Sequence, residues 1–228
     1  MTSGESHDHC SGENRRAPGL TDWHALHGLL FFALLIAGTF IPVLRTWPAL
    51  WIAPLAAYAA LVSMIRPLRA SYRPWGLGRI TRPGILAALG IAAVSCSALA
   101  VFDYFFHPDV HAFAAYLPVT TLPTVLALGV LFAIVNALCE EVIFRGILFD
   151  AIESQWGVRG AVIGTAFLFG YGHLRGYPPG PLGAVMAGLY GLCLGWLRVF
   201  SGGLALPVLV HITADATIFA IVVRSGVL

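Results

Sequence analysis

Long apolar segments recur along the chain, and they limit the folds that it can adopt. A transmembrane helix needs about 20 mostly apolar residues, because each residue advances the helix by about 1.5 Å and the hydrocarbon core is about 30 Å thick. A sliding window of about that length finds seven apolar segments: 25–44, 48–65, 84–102, 122–142, 161–174, 183–199 and 204–223. The sequence therefore predicts an all-α fold, a polytopic transmembrane helix bundle of about seven spans, with no internal repeat.

The composition agrees with a membrane environment. Hydrophobic residues make up 58% of the 228 residues and charged residues 11%, about half of the roughly 25% that is usual in a soluble domain. The net charge of +2 and the lack of a basic face argue against a nucleic-acid partner, so the bilayer is the predicted partner. No C-x-x-C pair occurs among the cysteines, which excludes a zinc ribbon and a disulfide framework: Cys10, Cys96, Cys139 and Cys193.

The chain divides into a polar N-terminal tail, residues 1–22, and a transmembrane domain, residues 23–228. We expect the tail to be disordered, because it has too few apolar residues to form a core. His7, Asp8, His9 and Cys10 could in principle hold a metal ion, but we interpret them as part of this tail.

Arginines between the second and third apolar segments predict the orientation of the bundle. Short cytoplasmic loops carry an excess of positive charge. This connection has no acidic residue and five arginines: Arg66, Arg69, Arg73, Arg79 and Arg82. We therefore predict that it is cytoplasmic, which also puts the N-terminus in the cytoplasm and leaves Arg175 and Arg224 as exceptions. The compact chain and its short loops favour a bacterial plasma membrane.

Two carboxylates and an arginine stand at the end of the fourth apolar segment: Glu140, Glu141 and Arg145. A charged side chain at the centre of a membrane helix costs at least about 2.5–3.5 kcal/mol, so it persists mainly where it faces the bundle interior, a partner or a wet cavity. A purely structural interpretation is an ion pair between Glu141 and Arg145, which are four residues apart. The functional alternative makes this segment the first candidate for an active site.

Two later segments carry pairs of residues four apart, and such pairs share one face of a helix. Phe169 and His173 form one pair, and His211 and Asp215 form the other. Alone, each has a structural interpretation: an interfacial histidine, and an internal hydrogen bond. The positions of Glu140, His173 and His211 along their predicted spans allow the three side chains to meet in the cytoplasmic half of the bundle. Two histidines and a carboxylate can activate water, either through a metal ion or by direct general-base action.

Small residues recur at every fourth position of the sixth segment: Gly183, Ala187, Gly191 and Gly195. Small side chains at this spacing let two helix backbones approach closely in lipid. We interpret this face as structural, because it has no polar side chain for a catalytic role.

The three polar motifs, in this order on successive apolar helices, resemble those of the CAAX prenyl protease type II and bacteriocin-processing (CPBP or Abi) family of intramembrane endopeptidases. The family motifs are Glu-Glu-x-x-x-Arg, Phe-x-x-x-His and His-x-x-x-Asn/Asp. Here they begin at Glu140, Phe169 and His211 and end at Arg145, His173 and Asp215. The resemblance covers about residues 122–223, and the first half of the chain is only generically membrane-like.

The resemblance implies hydrolysis of a peptide bond in a membrane-associated or lipidated peptide. In one version Glu140 with His173 deprotonates a water molecule, and His211 with Asp215 stabilises the oxyanion. In the other version the protein is a metalloendopeptidase, in which some of Glu140, His173 and His211 bind a divalent metal such as zinc. Both versions stay open at this point. The resemblance implies six catalytic residues: Glu140, Glu141, Arg145, His173, His211 and Asp215. Of these, Glu141 and Arg145 form a supporting pair.

Two functions of other classes compete with proteolysis. A membrane transporter could use the same residues as a proton or ion relay, although the chain has no paired halves with broken helices. An inactive family member could act as a scaffold or immunity protein, although a scaffold does not need these buried polar groups. The chain has no H-E-x-x-H and no G-x-S-x-G motif, which excludes a standard zincin and argues against a serine hydrolase.

Overall fold

The computed structural model describes residues 23–110 and 121–226, and these ranges are helical with no β-strand. The helices are α1 (Trp23–Thr39), α2 (Ala49–Met64), α3 (Arg66–Ser71), α4 (Arg82–Phe106), α5 (Leu122–Glu141), α6 (Leu148–Gly172), α7 (Gly180–Ser201) and α8 (Ala205–Gly226). A π-helical segment, Val142–Ile147, joins α5 to α6. Short 3₁₀ helices at Pro42–Arg45 and His173–Arg175 follow α1 and α6. The predicted all-α fold is confirmed. The predicted tail, residues 1–22 with His7 to Cys10, lies outside the described residues.

Each of the seven predicted apolar segments lies mainly in a helix. Four helical stretches of the described residues are long and apolar enough to cross a bilayer: Arg82–Phe106, Leu122–Arg175, Gly180–Ser201 and Ala205–Arg224. The second of these contains two of the predicted segments. Helices α1 and α2 are apolar but shorter, with 17 and 16 residues, near the lower limit of about 17 for a span. These apolar helices make the protein an integral membrane protein.

Helix packing puts the second half of the chain at the centre of the bundle. Helix α7 packs along α6, both α4 and α5 pack against α8, and α1 lies on α2 and α6. The small-residue face of α7 allows the contact with α6, because a Cβ added at Gly191 would lie 3.1 Å from Cα of Ala166. One added at Gly195 would lie 3.3 Å from Cγ1 of Val162. The small residues therefore serve close helix packing, as the sequence predicted.

Helix α6 reverses direction at Gly157. This residue has φ 69° and ψ 179°, a backbone conformation that is essentially confined to glycine. The two arms of α6 then pack on each other, since a Cβ added at Gly164 would lie 3.2 Å from Cδ1 of Ile152. The sequence predicts a connection from Phe149 to Arg159 between the fourth and fifth spans. The structure instead keeps helix on both sides of Gly157, because Phe149 is fully buried and continues the packed face.

The position of this turn sets the relative height of the polar residues. Gly157 is sixteen residues after Glu141 and sixteen before His173. At about 1.5 Å per residue, both lie roughly 24 Å from the turn and therefore at the same level of the bundle. Phe144 and Phe169 are almost equally far from Gly157 along the chain. Their ring centroids lie 5.0 Å apart, which confirms this register.

An extended segment between α3 and α4, residues 72–81, closes the end of the bundle near the Gly157 turn. Its backbone pairs with the turn between α7 and α8: the N–H of Arg79 donates to the carbonyl of Ser201 at 2.8 Å, and the N–H of Leu204 donates to the carbonyl of Gly76 at 3.1 Å. The indole Nε1 of Trp75 donates to Oδ2 of Asp150 at 2.9 Å. The segment therefore connects the first half of the chain to the central helices.

We expect Gly157→Ala to lower the stability of the protein. Alanine in this backbone conformation costs about 1–3 kcal/mol, which should appear as a lower unfolding midpoint in detergent. The matched control is Gly90→Ala in α4, where the added Cβ meets nothing within 4 Å. That control should be neutral or more stable by about 0.5–1 kcal/mol. Equal losses from the two substitutions would contradict the special role of Gly157.

Candidate active site

The two adjacent carboxylates lie on the last turn of α5, directly before the π-helical segment. Glu140 is 5% exposed, and Glu141 is fully buried. π-Helical turns are frequent at functional sites, and this one carries Arg145. Gly146 lets the indole of Trp75 pack against the segment, because a Cβ at Gly146 would lie 2.8 Å from Cε2 of that ring. The indole of Trp75 thus contacts the π-helical segment from the end of the bundle.

Arg145 is fully buried and joins three helices. Its Nη1 donates to Oε1 of Glu141 at 2.9 Å, and its Nη2 donates to the carbonyl of Gly191 on α7 at 3.1 Å. The guanidinium also lies 4.7 Å from the centre of the Phe169 ring on α6. These contacts fix the position of Glu141 at the interface of α5, α6 and α7.

The imidazole of His211 lies between the two glutamates. Its Nδ1 is 2.7 Å from Oε1 of Glu141, and since a carboxylate only accepts, Nδ1 donates this hydrogen bond. Its Nε2 lies 3.6 Å from Oε2 of Glu140 and 3.8 Å from Oδ1 of Asp215. The ring is 3% exposed and meets the ring of Tyr190 edge-on, with centroids 5.8 Å apart. The hydrogen bond to Glu141 therefore directs Nε2 towards the other two carboxyl groups.

Asn136 connects the carboxyl groups of Glu140 and Asp215. Its Nδ2 donates to Oε1 of Glu140 at 3.1 Å and to Oδ2 of Asp215 at 3.2 Å. Its Oδ1 accepts a hydrogen bond from the indole Nε1 of Trp51, on α2, at 3.1 Å. Asn136 is not among the site residues predicted from the sequence. The available signal was its spacing of four residues from Glu140, which puts both side chains on one face of α5.

His173 lies at the end of α6, one aromatic ring away from this cluster. Its Nδ1 donates to the carbonyl of Phe169 at 2.8 Å, and its ring centre is 4.3 Å from that of Phe169. The Phe169 ring is in turn 5.7 Å from the imidazole of His211. Within the described residues, His173 has no hydrogen bond or ion pair with Glu140 or His211. The turn at Gly157 brings His173 to the level of Glu141 in the bundle. The hydrogen bond to the Phe169 carbonyl, however, keeps its imidazole from pairing with Glu140 or His211.

The loop that follows His173 is attached to two other helices. The hydroxyl of Tyr177 donates to Oδ1 of Asp103, a buried residue of α4, at 3.2 Å. Arg224 of α8 pairs with the other oxygen of the same carboxylate. Burial raises the pKa of the Tyr177 phenol, so the hydroxyl stays a donor. These contacts fix the loop and with it the position at which α6 ends.

Four buried polar atoms around His211 have no hydrogen-bond partner among the described residues: Glu140 Oε2, Glu141 Oε2, Arg145 Nε and Tyr190 Oη. A buried polar atom without a partner costs free energy, about 1–3 kcal/mol. Proteins retain such atoms chiefly where they serve a reaction or bind a small polar molecule. The cluster can therefore hold and polarise a polar reactant in an otherwise apolar bundle.

The predicted metal ligands, Glu140, His173 and His211, do not converge as a set. No group of three His, Cys, Asp or Glu side chains in residues 23–110 and 121–226 is arranged to hold a metal ion. A zinc site needs nitrogen and oxygen ligands within about 2.0–2.2 Å of one point, whereas here the ring of Phe169 contacts both histidines. In the described residues, this arrangement does not fit a three-ligand metal site.

Comparisons with known proteins agree with the position of the cluster. Residues 122–217 match the family model described as type II CAAX prenyl endopeptidase Rce1-like. The matched region runs from the start of α5 into α8 and contains the six predicted site residues. No curated protein and no solved structure matches the chain.

We expect Arg145→Met to destabilise the protein strongly, because it leaves Glu141 buried without its cation. Breaking a buried ion pair from one side typically costs about 3–5 kcal/mol, whereas replacing both partners is much less costly. The double variant Glu141→Gln with Arg145→Met should therefore be more stable than Arg145→Met alone. Unfolding in detergent measures both, with the exposed Arg79→Met as the control. A double variant less stable than the single one would contradict the pairing.

Proposed function

We propose that this protein is an intramembrane endopeptidase with Glu140 as general base, because residues 122–217 match the Rce1-like model of type II CAAX prenyl endopeptidases, as the three motifs predicted. Its proposed substrate is a membrane-associated or lipidated peptide. One observation carries the proposal. The buried Oε2 of Glu140 faces Nε2 of His211 across 3.6 Å and has no hydrogen-bond partner in the described part of the chain.

In the proposed first step, Glu140 Oε2 takes a proton from a water molecule bound beside His211. The water oxygen forms a bond to the carbonyl carbon of the substrate, and the π electrons of the carbonyl move to its oxygen. Burial supports this role, because a positioned base in a water-poor site does not have to reorganise its own solvent shell.

In the same proposal, His211 stabilises the oxyanion of the tetrahedral intermediate. Its Nδ1–H is bonded to Glu141, and its Nε2, when protonated, donates towards the reacting oxygen. Three carboxyl groups surround this ring, while Arg145 supplies a single positive charge, so a positively charged His211 reduces the excess of negative charge. Asp215 supports the same orientation from one turn further along α8.

The final step returns the proton to the substrate. Glu140 gives it to the amide nitrogen as the carbon–nitrogen bond breaks, which releases an amine and a carboxylic acid and restores the carboxylate. We propose that His173, at the same level of the bundle, helps to hold the water or the leaving group. Glu141 and Arg145 act through His211 and do not touch the substrate.

We infer that the site opens towards the cytoplasm, with the N-terminus on the same side, in a bacterial plasma membrane. His211 lies six residues into α8, about 9 Å from its start. At that end of the bundle the five arginines of residues 66–82 are all exposed, and none forms an ion pair in the described ranges. Such a cluster supports a cytoplasmic position.

The test is cleavage of lipidated and unlipidated membrane peptides by the purified protein in detergent. Glu140→Gln should lower kcat by about 10²- to 10⁴-fold, as expected when a general base is lost. His211→Gln should lower kcat comparably. The matched control is Glu153→Gln, a half-buried glutamate of α6 outside the cluster, and it should keep full activity.

A second arm of the experiment adds a chelator. Direct general-base action predicts unchanged cleavage, whereas loss with a chelator and recovery with zinc would contradict it. Cleavage that survives Glu140→Gln would also overturn the mechanism. Failure of the unmodified protein to cleave any peptide in the panel would favour the scaffold or the transporter.

A further inference from the structure

We infer that Asn136 is a positioning residue for Glu140 and Asp215, and that Trp51 holds its amide in the working orientation. The inference rests on the proposed function and extends it to α2, outside the three motifs. It begins from one contact, the hydrogen bond between the indole Nε1 of Trp51 and Oδ1 of Asn136 at 3.1 Å.

The indole of Trp51 determines which way the Asn136 amide points. An indole N–H is a donor only, so the amide atom that faces it must be the oxygen. The amide nitrogen then lies on the opposite side, where both of its hydrogens have acceptors: Oε1 of Glu140 and Oδ2 of Asp215. The three hydrogen bonds agree with a single orientation of the amide. The reversed amide would turn its oxygen towards two carboxyl groups and its nitrogen towards a donor.

The Asn136 amide occupies one oxygen of each carboxyl group and leaves the other oxygen towards His211. Oε2 of Glu140 lies 3.6 Å from Nε2 of His211, and Oδ1 of Asp215 lies 3.8 Å from the same atom. The two carboxyl groups come from different helices, α5 and α8, and would repel each other if both were ionised. The neutral Asn136 amide donates to both carboxyl groups, which stabilises their close approach and sets the orientation of the Glu140 carboxylate.

A neighbouring tryptophan supplies a matched control. The ring of Trp47 packs on Phe132 of the same helix, α5, with centroids 5.3 Å apart. It makes no hydrogen bond to Asn136 in the described residues. Trp47→Phe and Trp51→Phe therefore make the same chemical change near α5, but only the second removes a donor to the amide.

The kinetic test is a double-mutant cycle on peptide cleavage. Trp51→Phe should lower kcat about two- to tenfold, the effect of one lost hydrogen bond, with KM little changed. Asn136→Leu should lower kcat on the order of 10²-fold, the effect of a misplaced reacting group. In the Asn136→Leu background, Trp51→Phe should have no further effect, because the two residues act as one unit. Trp47→Phe should leave kcat unchanged in both backgrounds.

A spectroscopic readout tests the contact independently of activity. With ¹⁵N-labelled tryptophan, the indole N–H of Trp51 should be identified by its absence in Trp51→Phe. It should shift and exchange faster with solvent in Asn136→Leu, while the Trp47 signal stays in place. An unshifted Trp51 signal would overturn the inference whether or not a cleaved peptide is known.

The outcomes separate this inference from the proposed function. If Glu140→Gln is inactive while Trp51→Phe behaves like Trp47→Phe, the positioning role is wrong and the protease mechanism stands. If Trp51→Phe lowers kcat by the same factor with and without Asn136, the two residues are independent and the inference fails. If Glu140→Gln keeps its activity, the proposed function fails first, and the Trp51 signal alone decides whether the contact exists.

Discussion

The ion pair between Arg145 and Glu141 is the contact on which the arrangement of the site depends. Both side chains are fully buried, and a buried pair is favourable only when further hydrogen bonds satisfy its remaining groups. Arg145 meets this condition through Gly191 of α7, and Glu141 through His211 of α8. A single charge pair at the end of α5 thus sets the positions of two other helices, and the orientation of the His211 ring follows from it.

The apolar segments and the costly ionisable groups were predictable from sequence because each is a local property. Length and hydropathy are enough to find the helices, and the high cost of Glu140 and Glu141 in lipid draws attention to them. The positions of the helices relative to one another were harder to predict from the sequence. The height of His173 depends on the residue at which the chain reverses, and the polar connection from Phe149 to Arg159 does not reveal that this residue is Gly157.

Asn136 shows a different limit of sequence reasoning. Burying an amide in an apolar helix costs less free energy than burying a charge, so an asparagine is more easily overlooked. Its role depends on which side chains of other helices face it. Trp51 comes from a segment 85 residues away in the chain and matches no motif. Polar contacts of this kind are long-range in sequence, so periodicity and spacing along one helix cannot predict them.

The pairing of the extended segment with the turn between α7 and α8 has a consequence for the way the protein assembles. The carbonyls of Gly76 and Leu77 accept hydrogen bonds from Leu204 and Ala205, and Arg79 donates to Ser201. During synthesis the first two apolar helices enter the membrane well before their partners exist, and the bundle cannot close until α8 begins to emerge. A fragment limited to residues 122–228 would contain all six predicted site residues but would lack this closure and Trp51. The family-matched region therefore does not contain all the contacts that close the bundle. Some of these contacts come from the first half of the chain, which carries none of the recognised motifs.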